Sequence, residues 1–359
     1  MQKLLLLIAL IGSTISYSQT AITNENLEDA IADCLSTNSV NGLCTNSEYG
    51  EMPGWIMTNV TDMHNIFFDN PTFNADISNW NTSNVNDMSG MFYGASAFNQ
   101  NLSNWNVSNV TTMVGMFEVA SIFNGDISNW NTSNVNDMKY MFRQARGFNR
   151  DLSQWDVTNV TLMYNMFDGA ISFNQDISTW ETDNVTRMDN MFDGATDFNQ
   201  NLSTWKVSKM ENMYNMFDNS ALSTDNYDAI LIGWSESTTL KPFVGLGAAG
   251  ISYCNSIAAR QILTENGWVI NDAGVDCSTA GIDDQNQLDI SIYPNPTSKT
   301  IYIQGYDTQL KVVFYNILGK EVLNKSIKKS IDISHLENGI YLMQLSNDGK
   351  SSTHKIIKN

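Results

Sequence analysis

A tryptophan returns every 25 residues in this chain: Trp55, Trp80, Trp105, Trp130, Trp155, Trp180 and Trp205. Its neighbours return with it. The unit reads W-x-[T/V]-x-[N/K]-[V/M]-x-x-M-x-x-M-F-x-x-[A/S], and most copies continue into F-N-x-[D/N]-[I/L]-S. A fixed short period restricts the folds open to a chain. One unit of this length cannot bury an apolar face alone, so units have to stack into a quasi-one-dimensional solenoid.

Within a unit two spacings alternate. Val85, Met88, Met91, Phe92 and Ala95 fall on one face of an α-helix, with Ser83 or Asn84 as its N-cap. Leu102, Trp105 and Val107 read as a short strand with Trp105 and Val107 inward. Each coil is therefore predicted to be a strand plus a helix, and the stack a parallel sheet backed by a helical layer. The indoles are placed inside, because a row of exposed rings would exceed the few hundred Å² of apolar patch that soluble proteins tolerate. A 50-residue superperiod overlies the 25-residue one: Thr82, Thr132 and Thr182 alternate with Val107, Val157 and Val207, and Asp76–Met88 recurs unchanged at Asp126–Met138. Threonine and valine are nearly isosteric, so stacking is expected to survive the exchange.

The ends differ from the middle. Met1-Gln2-Lys3, the apolar run Leu4–Ile11 and Ser16-Tyr17-Ser18 read as a secretory signal peptide over residues 1–18. No other segment approaches the roughly 20 apolar residues that span a bilayer, so no transmembrane segment is expected in the mature chain. Residues 19–54, with Leu27, Ala30, Ile31, Cys34 and Leu35 at helical spacing, are predicted to be an N-terminal cap, residues 55–220 the repeats, and residues 221–278 a C-terminal cap. Residues 279–287 read as a linker, and 288–359 as a separate unit of alternating strands. Export permits disulfides, and the local pairs Cys34–Cys44 and Cys254–Cys277 are the favoured ones.

Charge excludes some partners. The chain carries −19, divided as +1 over residues 281–359 and −20 elsewhere, and no Lys or Arg lies between Lys3 and Lys139. Such a surface repels phosphate backbones, so nucleic acid is not an expected partner. Lys139, Arg143, Arg146 and Arg150 form one basic cluster, read as a solvated helix end.

No catalytic constellation is present: no H-E-x-x-H, G-x-S-x-G or phosphate loop. Methionine thioethers can bind copper, but Met-x-x-Met-Phe at this spacing reads as core filling. Asp76, Asp126, Asp151 and Asp176 invite a calcium reading without the tight oxygen-rich loop that calcium needs. No metal and no cofactor are expected, and an enzyme is not. A site in the C-terminal cap would have to use Asp225, Asp228 or Asp272, which read equally well as caps and turns. The recurring Asn74, Asn99, Asn124, Asn149, Asn174 and Asn199 are read as a structural ladder. The candidate partner-binding face is the pair of outward columns containing Asn79, Asn81, Asn104, Asn106, Asn129, Asn131, Gln154, Asp156, Thr179 and Glu181.

Two resemblances follow from residues. Asn109-Val110-Thr111-Thr112-Met113 with Met116-Phe117, and Phe98-Asn99-Gln100-Asn101-Leu102-Ser103-Asn104-Trp105, resemble BspA-like leucine-rich-repeat bacterial surface proteins, as do Ala30–Leu35, Gly42-Leu43-Cys44 and Glu48-Tyr49-Gly50. That resemblance covers about residues 24–278 and implies a surface-exposed repeat protein linked to adhesion. The tail resembles the sorting domain of type IX secretion. Its carrying residues are Tyr293-Pro294-Asn295-Pro296, Val313–Lys320, Gly339-Ile340-Tyr341 and Lys355-Ile356-Ile357-Lys358. It implies a small β-sandwich recognised by the type IX secretion machinery. The predicted fold class is thus an α/β repeat solenoid, leucine-rich-repeat-like with 25-residue coils and caps, followed by a small all-β immunoglobulin-like sandwich. The predicted function is a secreted or cell-surface, non-catalytic adhesion scaffold for an extracellular protein or glycan. The alternatives are an inert structural coat or spacer, or an accessory of a polymer-degrading system. Deleting residues 288–359 should leave the passenger in the periplasm on cell fractionation; undiminished surface display would refute the tail's assignment.

Overall fold

The computed structural model describes residues 20–278, 288, 290–305, 308–316, 320–347 and 350–359. The expected signal peptide (1–18) and linker (279–287) lie outside these residues. The chain divides into two compact units, Met1–Asp276 and Cys277–Asn359.

The first unit opens with helix α1 (Leu27–Thr37), which buries Leu27, Ala30, Ile31 and Cys34. A Cys34–Cys44 disulfide with Cα atoms 5.0 Å apart ties its C-terminal half to the following loop. Between Trp55 and Ser223 the described residues contain no helix and no strand longer than single parallel bridges. These bridges join successive units in register: Asp62, Asp87, Thr112, Asp137, Leu162, Arg187 and Asn212.

The helix expected in each unit does not form, and its place is taken by consecutive turns. Met91 N–H bonds Met88 O (3.3 Å), Tyr93 N–H bonds Gly90 O (3.0 Å) and Ala95 N–H bonds Phe92 O (3.0 Å). Handedness is the cause. Gly90 and Gly94 have φ of 61° and 70°, and the equivalent pairs Asn65/Asp69, Gly115/Val119, Tyr140/Gln144, Asn165/Gly169, Asn190/Gly194 and Asn215/Asn219 are left-handed too. A right-handed helix cannot continue through an αL residue at every fourth position. A positive φ at the third residue of a turn is instead what a type II turn requires.

Alternate peptide groups are left free to leave the unit. Met88, Gly90, Phe92 and Gly94 donate N–H to the carbonyls of Thr112, Val114, Met116 and Glu118 at 2.8–3.2 Å. Met63, Asn65, Phe67 and Asp69 donate in the same way to Asp87, Ser89, Met91 and Tyr93. Along this run the ladder is polar, its crossing N–H groups pointing toward the C-terminal end of the stack and its crossing C=O groups toward the N-terminal end; just before the run the sense reverses, with Asn86 N–H on Thr61 O (2.8 Å) and Thr111 N–H on Asn86 O (2.9 Å). An ordinary parallel ladder alternates donors and acceptors along each edge. The segment expected as a strand is itself built of turns, with Trp105 N–H on Leu102 O (3.0 Å) and Val110 N–H on Val107 O (2.9 Å).

Burial follows the sequence period even though the backbone path does not. The seven repeat indoles are at most 3% exposed. Trp55 donates Nε1–H to Gly50 O (3.1 Å), and the six that follow donate to the unit before: Trp80 to Met52 O (2.9 Å), Trp105 to Ile77 O (3.0 Å), Trp130 to Leu102 O (3.0 Å) and onward to Trp205 on Ile177 O (3.0 Å). Neighbouring indoles stack, as Trp105 and Trp130 do at 6.4 Å between centroids and 2° between planes. Two phenylalanine columns lie beside them, paired within each unit as Phe92–Phe98 at 4.0 Å and Phe117–Phe123 at 3.9 Å. The methionines of the repeat are wholly buried among these rings.

The threonine–valine alternation is more than isosteric filling. Thr82, Thr132 and Thr182 are buried, and their hydroxyls donate to Asn106 O (2.9 Å), Asp156 O (2.8 Å) and Lys206 O (3.0 Å) in the valine-type unit that follows.

At the C-terminal end, helix α2 (Thr224–Ser235) is followed by strand β1 (Gly245–Tyr253), helix α3 (Ile257–Glu265) and strand β2 (Val269–Val275), with β1 and β2 parallel. The cap imitates the repeat by other means. Trp234 of α2 donates to Leu202 O (3.1 Å), extending the indole series, and β1 accepts the last ladder donors, Met213 N–H on Gly245 O (2.8 Å) and Phe217 N–H on Gly247 O (3.0 Å).

Among the described residues the second unit has seven strands: β3 (Ser291–Tyr293), β4 (Thr300–Gln304), β5 (Leu310–Asn316), β6 (Glu321–Ile327), β7 (Ser330–Asp332), β8 (Gly339–Asn347) and β9 (Lys350–Lys358). They form antiparallel sheets of order β3-β4-β7 and β6-β5-β8-β9 around one core that includes Ile301, Val312, Phe314, Met343 and Ile356.

Two outcomes test this construction. Trp130→Ala should cost about 3–5 kcal/mol in chemical denaturation, and an unchanged unfolding midpoint would contradict an interior indole. Val119 is β-branched at φ 60°, a conformation that glycine adopts without strain. Val119→Gly should therefore raise stability by up to about 1 kcal/mol; a loss would show that the side chain's packing outweighs its backbone strain.

Candidate functional site

The outward columns form a polar ridge along the repeats. Asn79, Asn81, Asn104, Asn106, Asn129, Asn131, Gln154, Asp156, Thr179 and Glu181 are all exposed. They are not equally free. Asn81, Asn106 and Asn131 each accept the backbone N–H two residues on, from Ser83, Ser108 and Ser133 at 3.0–3.2 Å. Asp156 does the same with Thr158 at 3.0 Å. These are Asx turns, which fix the chain direction after each tryptophan. In the other column Asn129 donates to Ser103 O (3.0 Å) and Thr179 to Ser153 O (2.9 Å), while Gln154 makes only a long 3.4 Å bond to Ser153 Oγ. Asn79 and Asn104 make no side-chain hydrogen bond among the described residues, so both amides face solvent. Where the period breaks, the ridge ends at a cleft of about 520 Å³ lined by Asp183, Lys206, Ser208, Gly233 and Glu236 among others.

The second asparagine series is structural, as its regularity suggested. Asn99 N–H bonds Asn74 Oδ1 (3.0 Å), Asn124 N–H bonds Asn99 Oδ1 (2.7 Å), and the series runs on to Ser223 N–H on Asn199 Oδ1 (2.9 Å). A third series was not anticipated: Asn84, Asn109, Asn134, Asn159 and Asn184 each donate to a carbonyl of the preceding unit at 2.6–2.8 Å.

The carboxylates weighed as calcium ligands are turn formers. Asp76, Asp126, Asp151 and Asp176 accept the N–H of the serine two residues on at 2.8–3.1 Å. The serine side chain, then its N–H, holds Asp76 below the ordinary carboxylate range; for Asp126 and Asp176 the N–H leads. Among the described residues no three His, Cys, Asp or Glu side chains converge as metal ligands would.

The basic cluster is not a helix end, since no helix is present there. Lys139 pairs with Asp137 (2.8 Å), and Arg143 bridges Glu118 (2.8 Å) of the unit before to Asp168 (2.9 Å) of the unit after. Arg150 donates to Asn124 O (2.6 Å). In the C-terminal cap, buried Asp228 accepts N–H groups from Cys254, Asn255 and Ser256, and so anchors the start of α3. Asp272 is gripped by Arg260 (2.7 Å) and Tyr227 (3.1 Å), and Asp225 lies in the first turn of α2. Burial pushes the Tyr227 phenol well above its ordinary value, so it remains a donor. Asp228 and Asp272 are spent on the scaffold, while Asp225 is exposed.

Cys254 and Cys277 are disulfide-bonded, like Cys34 and Cys44, and no cysteine is free. In the tail, Asn295 sits between Pro294 and Pro296 and clasps the last strand, donating to Lys355 O (2.7 Å) and accepting from Ile357 N–H (2.9 Å). Tyr341 is buried and donates to Glu337 O (2.8 Å), Tyr293 stacks on Tyr302 at 5.8 Å, and Gly339 begins β8. Residues 317–319 of the tail motif lie outside the described residues.

Comparison with known proteins gives two matches. The family described as "Mycoplasma protein of unknown function, DUF285" matches at residues 37–155 and 123–230, together more than half of the chain. The "Secretion system C-terminal sorting domain" matches at residues 291–359. Neither is an enzyme family. No curated protein matches. No helix among the described residues is long and apolar enough to cross a membrane. The tail is a type IX sorting domain and directs export across the outer membrane, to the cell surface or beyond. The chain thus belongs to the DUF285 family and carries a C-terminal secretion-system sorting domain.

Proposed function

We propose that the stacked repeats are an open, leucine-rich-repeat-like solenoid of BspA-like type, and that the exported protein is a non-catalytic adhesion scaffold. Its polar ridge meets an extracellular protein or glycan. One observation carries this reading: side chains recur in register on one exposed face, and two of them, Asn79 and Asn104, are not consumed by the fold. A surface of uncharged amides and hydroxyls suits a partner bound through many direct and water-bridged hydrogen bonds. The ladders beneath hold those groups in fixed positions, which lowers the entropy lost on binding.

The rival reading is an inert coat or spacer, and it draws on the Asx turns that absorb much of the second column. An array of proteins and glycans probed with the full chain separates the two. Any partner found should bind Asn79→Arg/Asn104→Arg at least tenfold more weakly, while the melting temperature stays within a degree or two, as expected of exposed sites. Unchanged binding to every partner would reject the ridge.

A further inference from the structure

The polar ladder has two unlike ends. At the C-terminal end β1 satisfies two of the outgoing donors, those of Met213 and Phe217. At the N-terminal end the cap stops short. Asn24 Oδ1 accepts N–H from Thr61 (2.9 Å) and Asp62 (3.3 Å), and Asn24 Nδ2 donates to Thr61 Oγ1 (2.7 Å). Beyond it the incoming carbonyls of the first unit meet nothing: among the described residues no donor reaches Asp62 O, His64 O or Ile66 O, and Phe68 O receives only the Asn70 amide at 3.4 Å. The corresponding carbonyls one unit later, at Asp87, Ser89, Met91 and Tyr93, are all bonded. Exposure agrees. His64, Asn65, Phe68 and Asp69 are exposed, whereas Ser89, Gly90, Tyr93 and Gly94 are partly or wholly covered.

We infer that this edge is a docking site for an extended, arginine- or lysine-bearing segment of a partner protein. An ordinary strand satisfies a one-sided row only in part, because it presents N–H and C=O groups alternately; at the opposite end β1 meets only the donors of Met213 and Phe217. A second copy of this chain fits no better, because its donor end is already occupied by β1. A ligand that brings donors alone does fit, and guanidinium and ammonium groups are such donors. Charge points the same way. The Asp62 and Asp69 carboxylates flank the row, and no Lys or Arg lies between Lys3 and Lys139. His64, the one imidazole in that stretch, is bonded to Asp62 at 2.7 Å. Phe68, 46% exposed and stacked on Tyr93 at 4.4 Å, offers an aromatic face on which a guanidinium can lie. This site is separate from the ridge and does not depend on it.

The test uses the full chain and a labelled synthetic peptide of alternating arginine and threonine carrying a photocrosslinker. Binding is read by fluorescence anisotropy, and the crosslinked residue by mass spectrometry. Crosslinks are expected within residues 56–70. Asp62→Asn/Asp69→Asn should weaken binding at least tenfold, whereas Asp193→Asn and Asn79→Arg/Asn104→Arg should leave it within twofold. Raising salt should weaken binding further. Crosslinks elsewhere, equal losses in the near and distant variants, or equal binding of an alternating glutamate–threonine peptide would overturn the inference. So would calcium alone displacing the peptide at micromolar concentration, which would make the edge a metal site instead.

Discussion

Two left-handed residues per unit decide how this molecule is built. Placed four residues apart, they turn alternate peptide groups of one run outward, with the donors of that run facing one way along the stack and its acceptors the other. Hydrogen bonds in such a column run head to tail through successive peptides, so each polarises the next. The indole N–H adds a cross-link of opposite sense, reaching from each unit back to the carbonyl of the one before. Apolar burial alone would leave units free to slide or rotate, since it is non-directional. These two sets of directed bonds fix the register, and the phenylalanine and methionine columns fill the space that the register defines.

The sequence disclosed which residues are interior but not the path of the chain between them. Trp, Met and Phe at fixed offsets are buried because any stacked repeat must bury its recurring apolar positions. The same offsets suggested a helix, and that failed for a reason written in the sequence. Immediately before the second methionine, or Ile66 in its place, stand Asn65, Gly90, Gly115, Asn165, Asn190 and Asn215, residues that tolerate αL, with Tyr140 the one departure. Four residues on stand Gly94, Gly169, Gly194 and Asn219. A consensus built from apolar positions hides this second pattern. The ridge was partly legible: alternation identified its exposed positions, but not that Asn81, Asn106 and Asn131 would turn their oxygens onto the backbone. Nor could the unmatched carbonyls at the first unit have been found, because they follow from peptide orientation rather than residue type.

The caps solve different problems. At the C-terminal end a true strand supplies carbonyls to the outgoing donors, and Asn226 supplies, to Asn199, the amide contacts that Gln200 makes to Asn174 one unit earlier. Buried Asp228 and Asp272 then hold that assembly together through backbone N–H groups and Arg260. The second unit is a separate body with its own core, balanced in charge where the passenger is strongly acidic. A tail of this kind can be read by export machinery without regard to what the passenger binds.

The buried threonine hydroxyls set a rule for how such an array can change length. Each donates to a backbone carbonyl of the valine-type unit on its C-terminal side. Loss or gain of one unit would place two valine-type or two threonine-type rungs side by side and break the alternation of the buried column. Loss or gain of two leaves every junction as it was. Recombination within the gene would therefore be tolerated most readily in steps of two rungs, and the identical stretches Asp76–Met88 and Asp126–Met138 lie one such step apart.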